Sequence, residues 1–125
     1  MKLSEAIRLG AMIRAQVFGI MRSEEGTCAW GAAYEAAGIP IEFSLETGVI
    51  DMPCEWLWAN VKKTRCPELN CDIPPPQCCV SPLIAHLNDH HRWSRERIAA
   101  WVKGIEPEEY PVWQCEPETA MAVAQ

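Results

Sequence analysis

Residues 83–104 carry the strongest local structural signals in the chain, those of a turn between two helices. Ser94 is a residue type that caps helix N-termini, and Trp93 and Ile98 occupy the two positions of a hydrophobic staple around it. Gly104 stands where a helix commonly ends. The pattern predicts a helix over residues 83–88, a turn over 89–93 and a second helix over 95–103. This helix-turn-helix segment constrains the chain to a largely helical fold.

The rest of the chain also shows mainly helical sequence patterns. Apolar residues at helical spacing predict a first helix from Ser4 to about Met21, and small residues predict a second over 28–37, ended by Gly38. A further helix is expected over 54–63, and alternating residues from 41 onward allow one small β-hairpin. The predicted fold class is mainly α, a compact bundle of about five short helices with a cysteine- and proline-rich loop at 64–79.

Charge divides the chain into two predicted parts. The net charge is −6, and residues 105–125 contain five acidic residues, three prolines and no lysine or arginine. We therefore predict a helical domain at 1–104 and an extended, acidic, proline-containing tail at 105–125. Acidic balance disfavours nucleic-acid partners, and no apolar run is long enough to span a membrane. Without an export signal we expect a cytoplasmic protein, in which disulfides are not expected.

The sequence contains one candidate metal site. Four cysteines fall within a 14-residue stretch just before three histidines, and thiolates with imidazoles at close range suit zinc. His86 and His90 are four residues apart, which would place both rings on one face of a continuous helix. The cysteine spacing differs from the C-x2-C pairs of strong zinc motifs. The candidate ligands are Cys66, Cys71, Cys78, Cys79, His86 and His90.

Two other interpretations of these residues stay open. The cysteines could be loop thiols or, for Cys28 and Cys54, small buried apolar residues, with His90 and His91 in the turn. Alternatively, Cys78 or Cys79 could pair with a histidine in a small cysteine- or metal-dependent hydrolase. No phosphate-binding glycine loop, GxSxG or HExxH motif is present, so a non-enzymatic protein is favoured.

Two blocks resemble a known group of proteins. CAWGAAYEAAG at residues 28–38 and HLNDHHRWSRERIAAWV at residues 86–102 are similar to small uncharacterised proteins of phages, prophages and bacteria. Those proteins carry a CALGAA-like block, a cysteine-proline motif and an HLND-x-H-x-W-S-R-E motif; here the cysteine-proline motif is longer than CPxC. The resemblance implies a compact intracellular protein of the kind that phages and bacteria encode. It implies no activity and no catalytic residue.

The chain contains six tryptophans in 125 residues, and this number suggests a binding role. Tryptophan is enriched in dense cores and at protein interfaces. We therefore predict a small binding or assembly protein that forms homo-oligomers or binds a protein partner, with zinc binding as the alternative. The residues proposed for binding are Asp89, Trp93 and Trp101.

Overall fold

The computed structural model describes residues 1–41, 52–69, 71 and 77–109. Four α-helices and one 3-10 helix dominate this part of the chain, which confirms the mainly helical fold. The helices are α1 (Leu3–Gly10), α2 (Ala29–Ala37), the 3-10 helix η1 (Cys54–Asn60), α3 (Val80–Asp89) and α4 (Arg95–Ile105). The strands are β1 (Ala15–Gln16), β2 (Gly26–Thr27), β3 (Lys63–Arg65) and β4 (Gln77–Cys79). The predicted hairpin after Ile41 lies outside the described residues.

Helix α1 packs against both α2 and α4, and the contact with α2 depends on small residues. A Cβ atom at Gly10 would lie 1.9 Å from the carbonyl oxygen of Ala32, so the two backbones meet at a distance that only glycine permits. Beside this contact, Trp30, Tyr34 and Trp56 form an aromatic cluster with ring centroids 5.8–6.3 Å apart. Small residues in α2 therefore let the helices approach, and the aromatic rings fill the adjacent core.

Helix α1 is much shorter than the pattern from Ser4 to Met21 predicts, and that prediction is wrong beyond Gly10. The backbone after the helix finds hydrogen-bond partners elsewhere. The buried guanidinium of Arg95 donates to the carbonyl oxygens of Ala11 and Arg14, at 3.2 and 2.6 Å. Residues 15–16 pair with residues 26–27 in a short parallel sheet. These long-range partners replace the helical hydrogen bonds because buried backbone groups must be satisfied.

The predicted helix over residues 54–63 also ends early. The 3-10 helix η1 stops at Asn60, and Lys63 already belongs to β3. Strand β3 pairs antiparallel with β4, in a register that places Lys63 opposite Cys79 and Thr64 opposite Cys78. This hairpin fixes where the cysteine-rich segment leaves the sheet, directly after Arg65, and where the chain enters α3.

The helices predicted over residues 83–88 and 95–103 are present as α3 and α4. The Ser94 hydroxyl accepts a hydrogen bond from the backbone N–H of Arg97 at 3.1 Å, and Trp93 and Ile98 are both buried. Helix α3 starts earlier than predicted, at Val80, with Cys79 as its N-cap. Pro82 lies in the first turn of α3, where its missing N–H costs no helical bond.

The first residues after α4 pack back on the N-terminus. Both the backbone N–H and the hydroxyl of Ser4 donate to the carboxylate of Glu106. The division into residues 1–104 and 105–125 stays a prediction, since residues from 110 onward lie outside the described part. Within the described residues, none of the helices has the length and apolar character needed to cross a membrane.

Replacing Gly10 by alanine tests the contact between α1 and α2. The added methyl would overlap the Ala32 carbonyl group, so we expect the free energy of unfolding to fall by about 3 kcal/mol. Gly104 is the matched control, because a Cβ there meets no atom and α4 should gain about 0.5–1 kcal/mol from alanine. Urea unfolding of both variants measures the difference. Equal effects of the two substitutions would contradict the close contact.

Candidate metal centre

Two cysteines and two histidines converge at one end of the β3–β4 hairpin. The Sγ atoms of Cys66 and Cys71 and the imidazole nitrogens of His86 and His91 all lie within 4.8 Å of one another. Cys66 Sγ is 3.3 Å from His91 Nε2, and Cys71 Sγ is 3.3 Å from His86 Nε2. All four residues are half-buried. This Cys2His2 group could hold a metal ion such as zinc.

Two segments of the chain supply the four ligands. Cys66 follows the last residue of β3, and a turn in which the Cys71 N–H donates to the Glu68 carbonyl oxygen brings the second thiol back to the first. His86 lies in the last turn of α3, whereas His91 follows the end of that helix. The two close pairs are nested along the chain, the outer joining residues 66 and 91 and the inner joining residues 71 and 86.

The end of α3 explains why His91 joins the cluster. The N–H groups of His90 and His91 both donate to the His86 carbonyl oxygen, which closes the helix. Arg92 then adopts a left-handed conformation with φ of 54°, the one positive φ among the described non-glycine residues. This reversal redirects the chain after His91. The His91 ring meets the His86 ring edge-on, with the centroids 4.7 Å apart. The prediction paired His86 with His90 because both would share one face of a continuous helix. It therefore left His91 out of the candidate ligands.

The surroundings of the cluster favour the neutral forms of Cys66 and His86. Burial lowers the pKa of His86, and the adjacent imidazoles of His91 and His90 lower it further. Burial also raises the pKa of the Cys66 thiol, against the opposing effect of a backbone N–H from Glu68, and the neighbouring Cys71 adds to the rise. A neutral imidazole is ready to bind a metal, whereas a thiol with a raised pKa is a poor nucleophile.

A hydrogen bond joins the cysteine loop to the turn that carries His91. The buried indole of Trp93 donates from Nε1 to the Glu68 carboxylate at 2.6 Å. The guanidinium of Arg97 lies 3.6 Å from the centroid of the Trp93 ring and 4.0 Å from the same carboxylate. Glu68 sits between the two cysteine ligands in sequence, so this contact holds their loop against the histidine turn.

The other predicted site residues lie around the cluster. His90 stacks on His86 with ring centroids 5.1 Å apart, but it is exposed and lies outside the four-atom group. Cys78 and Cys79 lie in β4 and also remain outside the group. Asp89 accepts hydrogen bonds from the Gly19 N–H and the Asn88 side chain, and Trp101 packs half-buried against the core.

The remaining cysteines differ from one another. Cys28 is a buried free thiol, as expected for a small core residue. Cys54 is disulfide-bonded, whereas we expected no disulfides. Cys66, Cys71, Cys78 and Cys79 are not disulfide-bonded.

Comparison with other proteins identifies no relative: no family model, curated protein or solved structure matches the chain. The resemblance to small phage and bacterial proteins therefore stays a prediction. What the site does must be argued from its geometry.

Removing the Glu68 carboxylate tests the contact between the cysteine loop and the turn. In Glu68→Ala the Trp93 N–H loses its acceptor, and we expect the free energy of unfolding to fall by about 1 kcal/mol. Glu24→Ala is the control, since Glu24 is exposed in the connection between β1 and β2. Chemical denaturation followed by tryptophan fluorescence gives both values. A loss no larger than that of the control would show that the hydrogen bond contributes nothing.

Proposed function

We propose that the protein binds one zinc ion through Cys66, Cys71, His86 and His91, and that the ion serves as a structural cross-link. The observation that carries this proposal is the mutual approach of the four ligand atoms to within 4.8 Å. In a tetrahedral zinc site, Zn–S bonds near 2.3 Å and Zn–N bonds near 2.05 Å put ligand atoms about 3.3–3.8 Å apart. A sulfur and a nitrogen ligand would lie about 3.6 Å apart, so the two sulfur–nitrogen distances of 3.3 Å are slightly shorter than zinc coordination requires.

The number of ligands favours a structural role. Catalytic zinc sites keep one coordination position open for water or substrate, whereas structural sites fill all four with protein atoms. Here two thiols and two imidazoles complete the tetrahedron, and the ion would join the loop after β3 to the end of α3. Leu69, one of the described residues of this loop, is 98% exposed, so its side chain does not anchor the loop to the core. A metal ion would supply the cohesion that the hydrophobic core does not provide there.

A cysteine–histidine pair is also the arrangement of thiol enzymes, but the pKa directions of Cys66 and His86 support metal binding instead. Activated cysteines have a lowered pKa and a nearby cationic group. Burial instead raises the pKa of Cys66, and the pKa of His86 is lowered, so neither pair favours a thiolate–imidazolium state. Soft thiolate ligands with imidazoles favour zinc over magnesium or calcium, which take oxygen ligands.

Metal analysis of ligand variants tests the zinc site. We expect about one zinc per chain in protein purified without chelator, and a loss of most of it in Cys66→Ser and His91→Gln. The matched controls are Cys78→Ser and His90→Gln, which change the same residue types outside the four-atom group and should keep the metal. Mass spectrometry of the metal content gives the stoichiometry, and Co²⁺ substitution reports tetrahedral thiolate coordination.

The same measurements can refute the proposal. Less than about a tenth of an equivalent of zinc in the unaltered protein, with no binding on addition of Zn²⁺, would overturn it. Retention of zinc in Cys66→Ser with loss in Cys78→Ser would assign the site to other cysteines. If the ion is structural, its removal by a chelator should also lower the midpoint of thermal unfolding by at least about 10 °C.

A second candidate function is self-association, and exposed apolar side chains favour it. Four tryptophans, Trp30, Trp56, Trp58 and Trp93, are buried, so they build the core rather than a surface. The connection after α1 instead exposes Met12, Ile13 and Ile20, at 74%, 53% and 50%. Apolar groups that cluster on a surface mark interaction sites.

Sedimentation velocity tests self-association. We expect an oligomer at tens of micromolar that dissociates in the double variant Ile13→Ser/Ile20→Ser, because the contact would lose its apolar area. Leu69→Ser, which removes a still more exposed apolar side chain from the cysteine loop, should leave the assembly unchanged. A monomer in the unaltered protein removes this candidate.

A further inference from the structure

A pocket lies on a neighbouring face of α3, apart from the cysteines and histidines of the metal group. Ser81, Ala85 and Asp89 recur every fourth residue along α3 and therefore share one face of the helix. These three residues line a partly open pocket of about 190 Å³, together with Ile20, Met21 and Trp30. His86 and the metal group lie on the adjacent face. The pocket is thus separate from the site proposed for zinc.

The walls of this pocket are mostly apolar and aromatic. Trp30 is fixed by a hydrogen bond from its Nε1 to the Ser81 carbonyl oxygen at 3.1 Å, so its ring has a defined position. Tyr34 and Met52 complete the wall behind it. A cavity of about 150 Å³ lined by apolar side chains holds benzene in other proteins, so 190 Å³ accommodates a single substituted ring.

Asp89 is the one charged residue among the described residues that line the pocket. Its Oδ1 atom accepts both of its hydrogen bonds, from the Gly19 N–H at 2.8 Å and from the Asn88 amide at 2.7 Å. The position of the carboxylate is therefore fixed, and Oδ2 stays available. Its charge reaches the pocket interior: burial raises the pKa of the Cys28 thiol, and Asp89 adds to that rise. No lysine, arginine or histidine of the described chain lines the pocket to offset this charge.

We propose that this pocket binds a small organic cation, a compound with one ring or short apolar body and an ammonium group. The apolar walls would bury the body of the ligand, and the Asp89 carboxylate would pair with its ammonium group at the mouth. Trp30 and Tyr34 add aromatic faces, which attract ammonium groups through cation–π contacts. A neutral ligand would lack the ion pair, and an anion would be repelled by the carboxylate.

Three probes of nearly equal shape test the charge preference. Benzylamine, benzyl alcohol and benzoate share the ring and differ in charge. Methyl NMR of labelled methionine gives a direct readout, because Met21 and Met52 line the pocket, whereas Met12 is exposed elsewhere and serves as an internal control. We expect saturable shifts of the Met21 and Met52 methyl signals with benzylamine at millimolar concentrations. The shifts should be weaker with benzyl alcohol and absent with benzoate.

Two substitutions separate the pocket from general surface binding. Asp89→Asn keeps an oxygen acceptor for the Gly19 N–H but removes the charge, and should weaken benzylamine binding roughly two- to fivefold with little effect on benzyl alcohol. Ala85→Leu should fill the pocket and abolish the binding of both benzylamine and benzyl alcohol. The controls are Glu96→Gln and Ala100→Leu, exposed positions of α4 that should leave the affinities unchanged.

Several outcomes would overturn the proposal. One is an absence of saturable shifts for benzylamine up to about 20 mM. Equal binding of the three probes, or benzylamine affinity that persists in Ala85→Leu, would do the same. Since neither Ala85 nor Asp89 belongs to the zinc group, loss of zinc in the ligand variants and loss of benzylamine binding in these variants can be told apart.

Discussion

The side chain of Asn88, fully buried in α3, makes the hydrogen bonds on which the arrangement of the other elements depends. Its oxygen accepts from the Gln16 side chain and the Ala29 N–H, and its amide donates to the Val17 carbonyl oxygen. One residue thus joins α3 to the start of α2 and to the connection after α1. A buried amide is costly unless satisfied, and in this position its partners are fixed by one geometry of the surrounding chain. No apolar residue could hold these segments in that register.

Arg95 joins α4 to the other elements through hydrogen bonds of its side chain. Its guanidinium is 4% exposed and donates to the Thr27 hydroxyl and to carbonyl oxygens of the connection after α1. Described acidic residues do not pair with it within the core, so carbonyl dipoles rather than a carboxylate satisfy the charge. Burial lowers the pKa of Arg95, and the group remains a cation because its ordinary pKa is so high. The connection is therefore shaped by side chains of α3 and α4 rather than by its own sequence.

This dependence explains what the sequence could and could not predict. The cap at Ser94 and the glycine stop at Gly38, which has φ of 76°, are local features whose partners lie within a few residues, and both were predictable. The length of α1 was not, because the end at Gly10 is set by Ala32 and by Arg95, more than 20 residues away. Helical periodicity past Gly10 was real in the sequence but was overruled by tertiary hydrogen bonds. The same limit applies at the candidate site: Cys66, Cys71 and His86 were predictable as ligands, whereas no spacing rule signals the helix end that brings His91 beside His86.

Helix α3 links the two proposed sites through one rigid element. Its buried face holds the core, the face with His86 meets the cysteines, and the face with Ala85 lines the pocket. Asn88 and Asp89, consecutive residues at the end of the helix, are bonded to each other and to the connection after α1. Closing the loop between residues 66 and 91 with a metal ion would restrict this same end of α3, because His91 follows Asp89 by two residues. Zinc would thereby order the helix end that positions the carboxylate of the pocket, although the ion and the ligand contact different residues.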